Sequence, residues 1–244
     1  MGKEIEFKTN TIHNLDILEL LPTIPAESID LVVTDPPYKM TSRGCNGTTG
    51  GMLKHKLGMS GNVFKHNNIK PQQYIPQFYR VLKQGSHCYI MTNHINLVEM
   101  LNIAIESGFH FIKSLIWEKD NKIMGQYYMS QFEYILFFRK GFGKKINNCG
   151  TSDILSIANK KSKDENGNNF HDTEKPIELM KILIENSSDE NDIVLEPFMG
   201  VGSTCIASKK LKRQYIGCEI DKTYFDIAQH RINETTPNLI TTLF

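Results

Sequence analysis

Asp35-Pro36-Pro37-Tyr38 follows directly on the apolar run Ile29-Asp-Leu-Val-Val-Thr34. Such a run reads as a strand covered on both faces, and parallel α/β sheets bind ligands beyond the carboxyl ends of their strands. Asp35 therefore stands where chemistry is expected. The two prolines fix the backbone and remove two N–H donors, leaving carbonyls free to accept. A carboxylate beside a free carbonyl offers two acceptors to a planar –NH2 group, and the ring of Tyr38 can stack on a flat base. The tetrapeptide reads as a clamp for an exocyclic amine, although a rigid turn after a strand fits it about as well.

A second group spans Asp192-Ile-Val-Leu-Glu196-Pro-Phe198-Met-Gly200-Val-Gly202-Ser203-Thr204, the pattern of a strand, a glycine-rich turn and a helix start. Glycines there let the backbone approach a ligand and expose N–H groups. Seventeen residues beyond Gly202 comes Glu219, closing the run Arg213-Gln-Tyr-Ile-Gly-Cys-Glu219. An acid at the tip of the second strand of a βαβ unit commonly holds ribose hydroxyls, so this half is expected to bind a nucleoside-containing cofactor. Nicotinamide dinucleotide is the rival ligand. It is the less well supported, because Cys205 replaces the third glycine of G-x-G-x-x-G. A third group, His171-Asp-Thr173-Glu-Lys175-Pro176, precedes a helical pattern. A cation at a helix N-terminus opposes the helix dipole, so Lys175 suggests a bound anion such as a carboxylate. A solvated lysine beside a first-turn proline accounts for it equally.

These residues need a scaffold. Short β-branched or aromatic runs predict strands at Ile29–Thr34, His87–Thr92, Phe111–Glu118, Glu133–Arg139, Ile193–Pro197 and Gln214–Glu219. Helical spacing predicts a helix through Leu97, Met100, Leu101, Ala104 and Ile105, ended by Gly108, and further helices at Pro176–Ile184, Ser203–Leu211 and Tyr224–Ile232. Strands alternating with helices argue for one α/β domain over 1–244, with a doubly wound, mostly parallel sheet. Two long segments, 39–68 and 141–171, lack periodicity, and stretches of this kind are usually functional.

The same two regions are basic. Residues 39–70 carry Lys39, Arg43, Lys54, Lys56, Lys65 and Lys70 and no acid. Residues 139–163, with Lys144 and Lys145, carry seven bases and one acid. The net charge of +1 hides this segregation, since residues 1–38 sum to −5 and residues 164–206 to −8. Concentrated basic stretches suit a polyanion held on one face, although solvated loops facing different ways would give the same counts. No apolar run approaches the roughly 20 residues that span a bilayer, so no membrane partner is expected. The start lacks the apolar stretch of a signal peptide, and the expected location is cytoplasmic. Cys45, Cys88, Cys149, Cys205 and Cys218 read as reduced thiols, and the scattered histidines lack metal-ligand spacing, so no metal site is expected.

In this order the three groups resemble the amino-directed DNA methyltransferases that use S-adenosylmethionine. D-P-P-Y is similar to that family's catalytic motif, F-x-G-x-G to its cofactor loop, and T-E-K-P to the segment holding the cofactor's methionine part. Catalytic motif before cofactor motif is the order of the permuted β class. Leu15-Asp16-Ile17-Leu18, Ile116-Trp117-Glu118-Lys119-Asp-Asn121 and Glu133-Tyr-Ile-Leu match its opening and middle segments. Glu196 and Val201 depart from the family's usual Asp and Ser, and Leu15 from its usual Gly.

The resemblance implies a Rossmann-like methyltransferase fold, with a short irregular DNA-recognition insertion at 141–171 and a basic loop at 39–70. It implies an enzyme that methylates the N6 amine of adenine in double-stranded DNA, since an Asp heads the motif where cytosine-N4 enzymes more often carry Ser. Asp35, Pro36, Pro37 and Tyr38 would be catalytic. Asp16, Asp35, Thr173, Lys175, Pro176, Glu196, Phe198, Gly200, Gly202, Ser203, Thr204 and Glu219 would hold S-adenosylmethionine, with Glu219 on the ribose, Asp16 near the adenine, and Thr173 and Lys175 on the carboxylate. Lys39, Arg43, Lys54, Lys56, Lys65, Lys144 and Lys145 would meet phosphates. A homodimer and a cognate restriction endonuclease are compatible with the resemblance. The alternatives are a cytosine-N4 methyltransferase, a nicotinamide-dependent oxidoreductase and a non-catalytic nucleic-acid-binding module.

Overall fold

The central strands are nearly continuous apolar runs whose side chains point alternately to opposite faces, so each strand feeds two cores at once. In the computed structural model these strands form one eight-stranded sheet. The structure describes residues 6–37, 68–123, 127–143, 145–163, 167, 169 and 174–237. Tyr38, Lys39, Arg43, Lys54, Lys56, Lys65, Lys144 and Thr173 lie outside the described residues.

The elements in chain order are β1 (Thr11–His13), α1 (Ile17–Leu20), a short 3-10 turn (Leu21–Thr23), β2 (Ile29–Thr34), α2 (Pro71–Val81), β3 (Leu82–Thr92), α3 (Leu97–Glu106), β4 (Phe109–Ile123), β5 (Ser130–Lys140), β6 (Ile154–Ser156), α4 (Ile177–Ser187), β7 (Ile193–Glu196), α5 (Ser203–Lys210), β8 (Gln214–Cys218) and α6 (Lys222–Glu234). Across the sheet the order is β1-β8-β7-β2-β3-β5-β4-β6. Only β5 runs against its neighbours; every other adjacent pair is parallel. The chain leaves β2 toward β3 on one side and leaves β7 toward β8 on the other. The β2–β7 pair is thus the topological switch point, where a crevice opens beyond the strand ends.

On one face Leu31, Val33, Tyr89, Met91, Ile135, Phe137 and Val194 pack with Leu179, Met180, Leu183 and Ile184 of α4. On the other, Val32, Cys88, Ile90, Leu136, Phe138 and Leu195 pack with α2 and α3 through Tyr74, Ile75, Phe78, Met100 and Ile103. The doubly wound architecture matches the expectation. No helix among the described residues is long and apolar enough to cross a membrane.

Sequence patterning misses four elements. Pro71 and Pro76 punctuate α2 as if to break it. Pro71 occupies the first turn, where its absent N–H is no loss, and Pro76 faces solvent while Tyr74, Ile75, Phe78 and Val81 form the buried stripe. β1, α1 and β6 are three or four residues long and too short for a periodic signal. β6 corrects the reading of 141–171 as wholly irregular. Ile154, Leu155 and Ser156 pair with Ile116, Trp117 and Glu118 at the sheet edge, and the Trp117 indole donates to the Ile157 carbonyl at 2.9 Å.

Phe138 is fully buried between β5 and the α2–α3 layer. Phe138→Ala should lower unfolding free energy by about 3–5 kcal/mol. Val98→Ala, at a position 64% exposed, should stay within about 0.5 kcal/mol. Urea denaturation of the two variants checks both values.

Candidate active site

The ends of β2, β7 and β8 meet at the switch point. Thr34, the last residue of β2, donates its hydroxyl to Glu196 Oε1 at 2.8 Å. The Phe198 amide donates to the same oxygen at 3.1 Å, and Thr204 donates to Oε2 at 2.7 Å. Glu196 is only 4% exposed. It therefore braces the turn from inside, tying β2, the loop and α5 together. Burial pushes its carboxyl up to about 7, against the pull of the three hydrogen bonds.

The glycine turn hangs from β8. The Met199 amide donates to the Cys218 carbonyl at 2.9 Å, and the Gly200 amide to Glu219 Oε2 at 2.9 Å. Gly202, at φ +88°, lies so near α6 that a Cβ would stand 3.2 Å from that of Ala228. Gly200, at φ +51°, has nothing within 4 Å of the Cβ it lacks. Its outer side opens into the crevice, while its N–H is used by Glu219. Glu219 also accepts from the Asp221 amide at 2.8 Å, which orients the carboxylate at the tip of β8. Asn14 donates to the carbonyls of Glu219 and Ile220, and the Glu219 amide donates to the His13 carbonyl. These bonds tie the 13–14 segment to the tip of β8, and two residues on the Asp16 side chain caps α1 by accepting from the Leu18 amide.

Behind the loop, Glu174 and Arg231 form an ion pair at 2.6 Å, their side chains 2% and 10% exposed. Arg231 also donates to the Val201 carbonyl, and Glu174 accepts from Ser203 and from the amide and hydroxyl of Ser162. One buried pair thus clamps α6, the glycine turn and the 157–163 segment.

Across the switch point, the Lys175 ammonium donates to Asp35 Oδ2 at 2.5 Å and lies 3.3 Å from Glu133 Oε2. Lys119 donates to Glu133 Oε1 at 2.5 Å and sits 4.7 Å from the Trp117 ring centre. Trp117 and Glu133 are directly opposed in the β4–β5 register, and Lys119 follows two residues on along the same face. Burial pushes the Asp35 carboxyl above its usual range; Lys175 opposes that shift and Glu133 adds to it. Burial acts likewise on Glu133, but Lys175 and Lys119 outweigh it and hold that carboxyl at about 2. Asp35 Oδ1 is buried and, among the described residues, has no hydrogen-bond partner.

The structure therefore gathers Asp35, Pro36, Pro37, Asp16, Phe198, Gly200 and Glu219 along one edge. Phe198 is half-buried and meets Tyr74 edge-on at 5.1 Å. Several of the expected cofactor-binding residues also make contacts within the protein. The Gly200 and Gly202 amides are spent within the protein, on Glu219 and the Met199 carbonyl. The hydroxyls of Ser203 and Thr204 face Glu174 and Glu196. Pro176 is buried at the start of α4, and Lys175 lies on Asp35 and Glu133 instead of solvent. Lys145 is exposed. The reading from motifs gave no role to Glu133, Lys119, Trp117, Glu174 or Arg231. Their contacts depend on strand register and on α6 packing, which residue spacing does not reveal.

Glu196 makes stability pH-dependent. Its folded-state pKa lies above the ordinary 4.5, so the protonated form favours the fold and that contribution is lost as pH rises toward 7. Stability of the wild type relative to Glu196→Gln should fall by up to about 3 kcal/mol between about pH 5 and pH 8. Urea titrations at the two pH values measure this difference.

Comparison with known proteins agrees with this geometry. A family model described as DNA methylase, covering the N6 and N4 enzymes, matches residues 29–230. The type II methyltransferase M.HinfI of Haemophilus influenzae is 31% identical over 98% of this chain and 72% of its own length. Among solved structures, the M1.HpyAVI–SAM complex superposes with a TM-score of 0.67 at 24% identity, covering 91% of this chain and 98% of that one. The PvuII cytosine-N4-specific DNA methyltransferase superposes with a TM-score of 0.68 at 16% identity, covering 96% of each chain. With Asp35-Pro36-Pro37 and the glycine turn at one switch point, the chain belongs to the N6/N4 DNA methylase family.

Proposed function

We propose that this protein transfers a methyl group from S-adenosylmethionine to the N6 amine of adenine in double-stranded DNA. The observation that carries this reading is Asp35 Oδ1, a buried acceptor with no hydrogen-bond partner among the described residues, at the carboxyl end of β2. The exocyclic amine of adenine is a weak nucleophile because its lone pair is delocalised into the ring. Asp35 Oδ1 would accept a hydrogen bond from one amine N–H and the Pro36 carbonyl from the other, which favours a pyramidal nitrogen; attack on the methyl group would release S-adenosylhomocysteine, and one amine proton would then leave. Both acceptors are fixed before the base arrives, so little reorganisation accompanies the developing charge. Lys175 keeps Oδ2 occupied and leaves Oδ1 for the amine. A base inside a duplex cannot reach this edge and must be flipped out; Tyr38, which follows Pro37 in the chain, would then stack on it.

The crevice suits S-adenosylmethionine, which supplies an electrophilic methyl group when bound. Gly200 leaves open space at the loop, and the Glu219 carboxylate, oriented by the Gly200 and Asp221 amides, stands at the tip of β8 where it would meet ribose hydroxyls. Asp16 would serve the adenine end, and Phe198 would line the pocket. Thr173 would remain a ligand of the carboxylate. The fold is shared with a cytosine-N4 enzyme, so the choice of adenine rests on Asp35 as head of the tetrapeptide. A nicotinamide-dependent oxidoreductase would leave Asp35 and its orphaned oxygen without work.

Phosphate contacts are assigned to Lys39, Arg43, Lys54, Lys56, Lys65, Lys144 and Lys145. Neutralising Lys54, Lys56 and Lys65 together should weaken cognate and non-cognate DNA alike and lower the salt slope by about 0.9 per lost contact. An unchanged slope would take this loop off the DNA.

Incubation with tritiated S-adenosylmethionine and plasmid DNA, followed by digestion to nucleosides, tests the reaction. Label is expected in N6-methyldeoxyadenosine. Asp35→Ala should cut the rate by at least about 10²–10³, the usual worth of such a fixed contact, with cofactor affinity within a few fold. Glu219→Ala should weaken S-adenosylmethionine binding in calorimetry. A rate for Asp35→Ala within about tenfold of wild type would remove Asp35 from the mechanism.

A further inference from the structure

The carboxyl edge on the α4 face carries more charge than an acceptor for an amine needs. Four ionisable side chains run in a line across β2, β5 and β4: Asp35, Lys175, Glu133 and Lys119. Their contacts are 2.5, 3.3 and 2.5 Å. Both ammonium groups are buried, with side chains 8% and 7% exposed. Two lysines seldom enter an interior unless each is matched. Trp117 forms the floor of the line, 4.7 Å from Lys119 and 5.9 Å from Lys175, and its indole is pinned to the Ile157 carbonyl.

Lys175 is contested. It stands between two carboxylates, and whichever attracts it more strongly fixes its position. Lys119 reaches only Glu133 of the two, donating to Oε1 while Lys175 faces Oε2. With Lys119 on Glu133 Oε1, Glu133 competes less for Lys175, which settles on Asp35 at the shorter distance, while Glu133 Oε2 has no hydrogen-bond partner among the described residues. We propose that Lys119 and Glu133 are positioning residues for methyl transfer, which act by steering the Lys175 ammonium onto Asp35 Oδ2 so that Asp35 stays ionised with Oδ1 aimed at the substrate amine. This rests on the reaction proposed above, but the steering is a property of the protein without ligands.

Other charged groups face the same space. Asp35 disfavours ionisation of Glu196 of β7, and the Tyr74 hydroxyl of α2 also lies within the field of Asp35. Lys161 approaches from the 157–163 segment, its own charge disfavoured by burial and by Lys175 and Lys119, while its ammonium donates to the Glu174 carbonyl at 2.6 Å. These groups set a background that the two variants below leave in place.

The two positioning residues should act in opposite directions. In Lys119→Met, Glu133 loses its own cation and draws Lys175 away. Asp35 then becomes harder to ionise, and the acid limb of kcat/KM should move to higher pH by roughly half to one unit. In Glu133→Gln the competing carboxylate is gone and the limb should move to lower pH. Lys119→Arg should restore the wild-type limb. General damage to the fold would lower rates without shifting the limb in two directions. The ligand-free protein supplies a second readout: the carboxyl carbon of Asp35, followed by NMR during a pH titration, should show the same opposed shifts. If the wild type methylates no DNA, the proposed reaction fails while this titration still tests the steering. Coincident titrations of Asp35 in the wild type, Lys119→Met and Glu133→Gln would overturn it, and a folded variant of either residue suffices for the comparison.

Discussion

The ammonium of Lys175 sits where two carboxylates from different strands would otherwise face each other in a partly dry crevice. Remove it, and burial together with mutual repulsion would drive Asp35 toward its neutral acid, which donates where the chemistry needs an acceptor. The rest of the site is arranged around keeping this cation in place. Pro176 and α4 fix the backbone that carries it, and the β4–β5 pairing places Glu133 and Lys119 on its far side. A buried ion pair is weak evidence for stability. Here the role proposed for it is electrostatic preparation of one oxygen.

The sheet topology explains why that oxygen meets a cofactor crevice at all. β2 and β7 are neighbours whose chains depart in opposite directions, so their ends cannot be covered by a common crossover helix. Glu196, fully enclosed, joins the two ends through Thr34 and Thr204. On the far side of the loop, Arg231 and Glu174 hold the glycine turn against α6. The Asp35 edge and the glycine turn are therefore one braced unit, and a shift in either would be felt by the other.

Much of this could be read from residue patterns, and the exceptions have physical reasons. The six predicted strands are β-branched or aromatic runs, and burial on both faces makes them conspicuous. Asp35, Gly200 and Glu219 were marked by their position after strands. α2 was hidden because proline reads as a breaker, yet one proline lies at the helix start and the other faces water. Ser203 and Thr204 look like ligands in a motif, but only packing reveals that their hydroxyls point at Glu174 and Glu196. The pairing of Lys119 with Glu133 depends on how β4 and β5 are registered against each other. A linear pattern carries no trace of that register.

The central claim is that the carbon leaving the cofactor ends on one particular nitrogen. It is tested most directly with S-adenosylmethionine carrying a 13C methyl group and DNA carrying 15N at the adenine amines. After reaction and digestion, the methyl carbon of the product nucleoside should show a one-bond coupling to 15N in N6-methyldeoxyadenosine. A methyl group found on the N4 of cytosine, on a ring carbon, or nowhere in DNA despite bound cofactor would contradict the account.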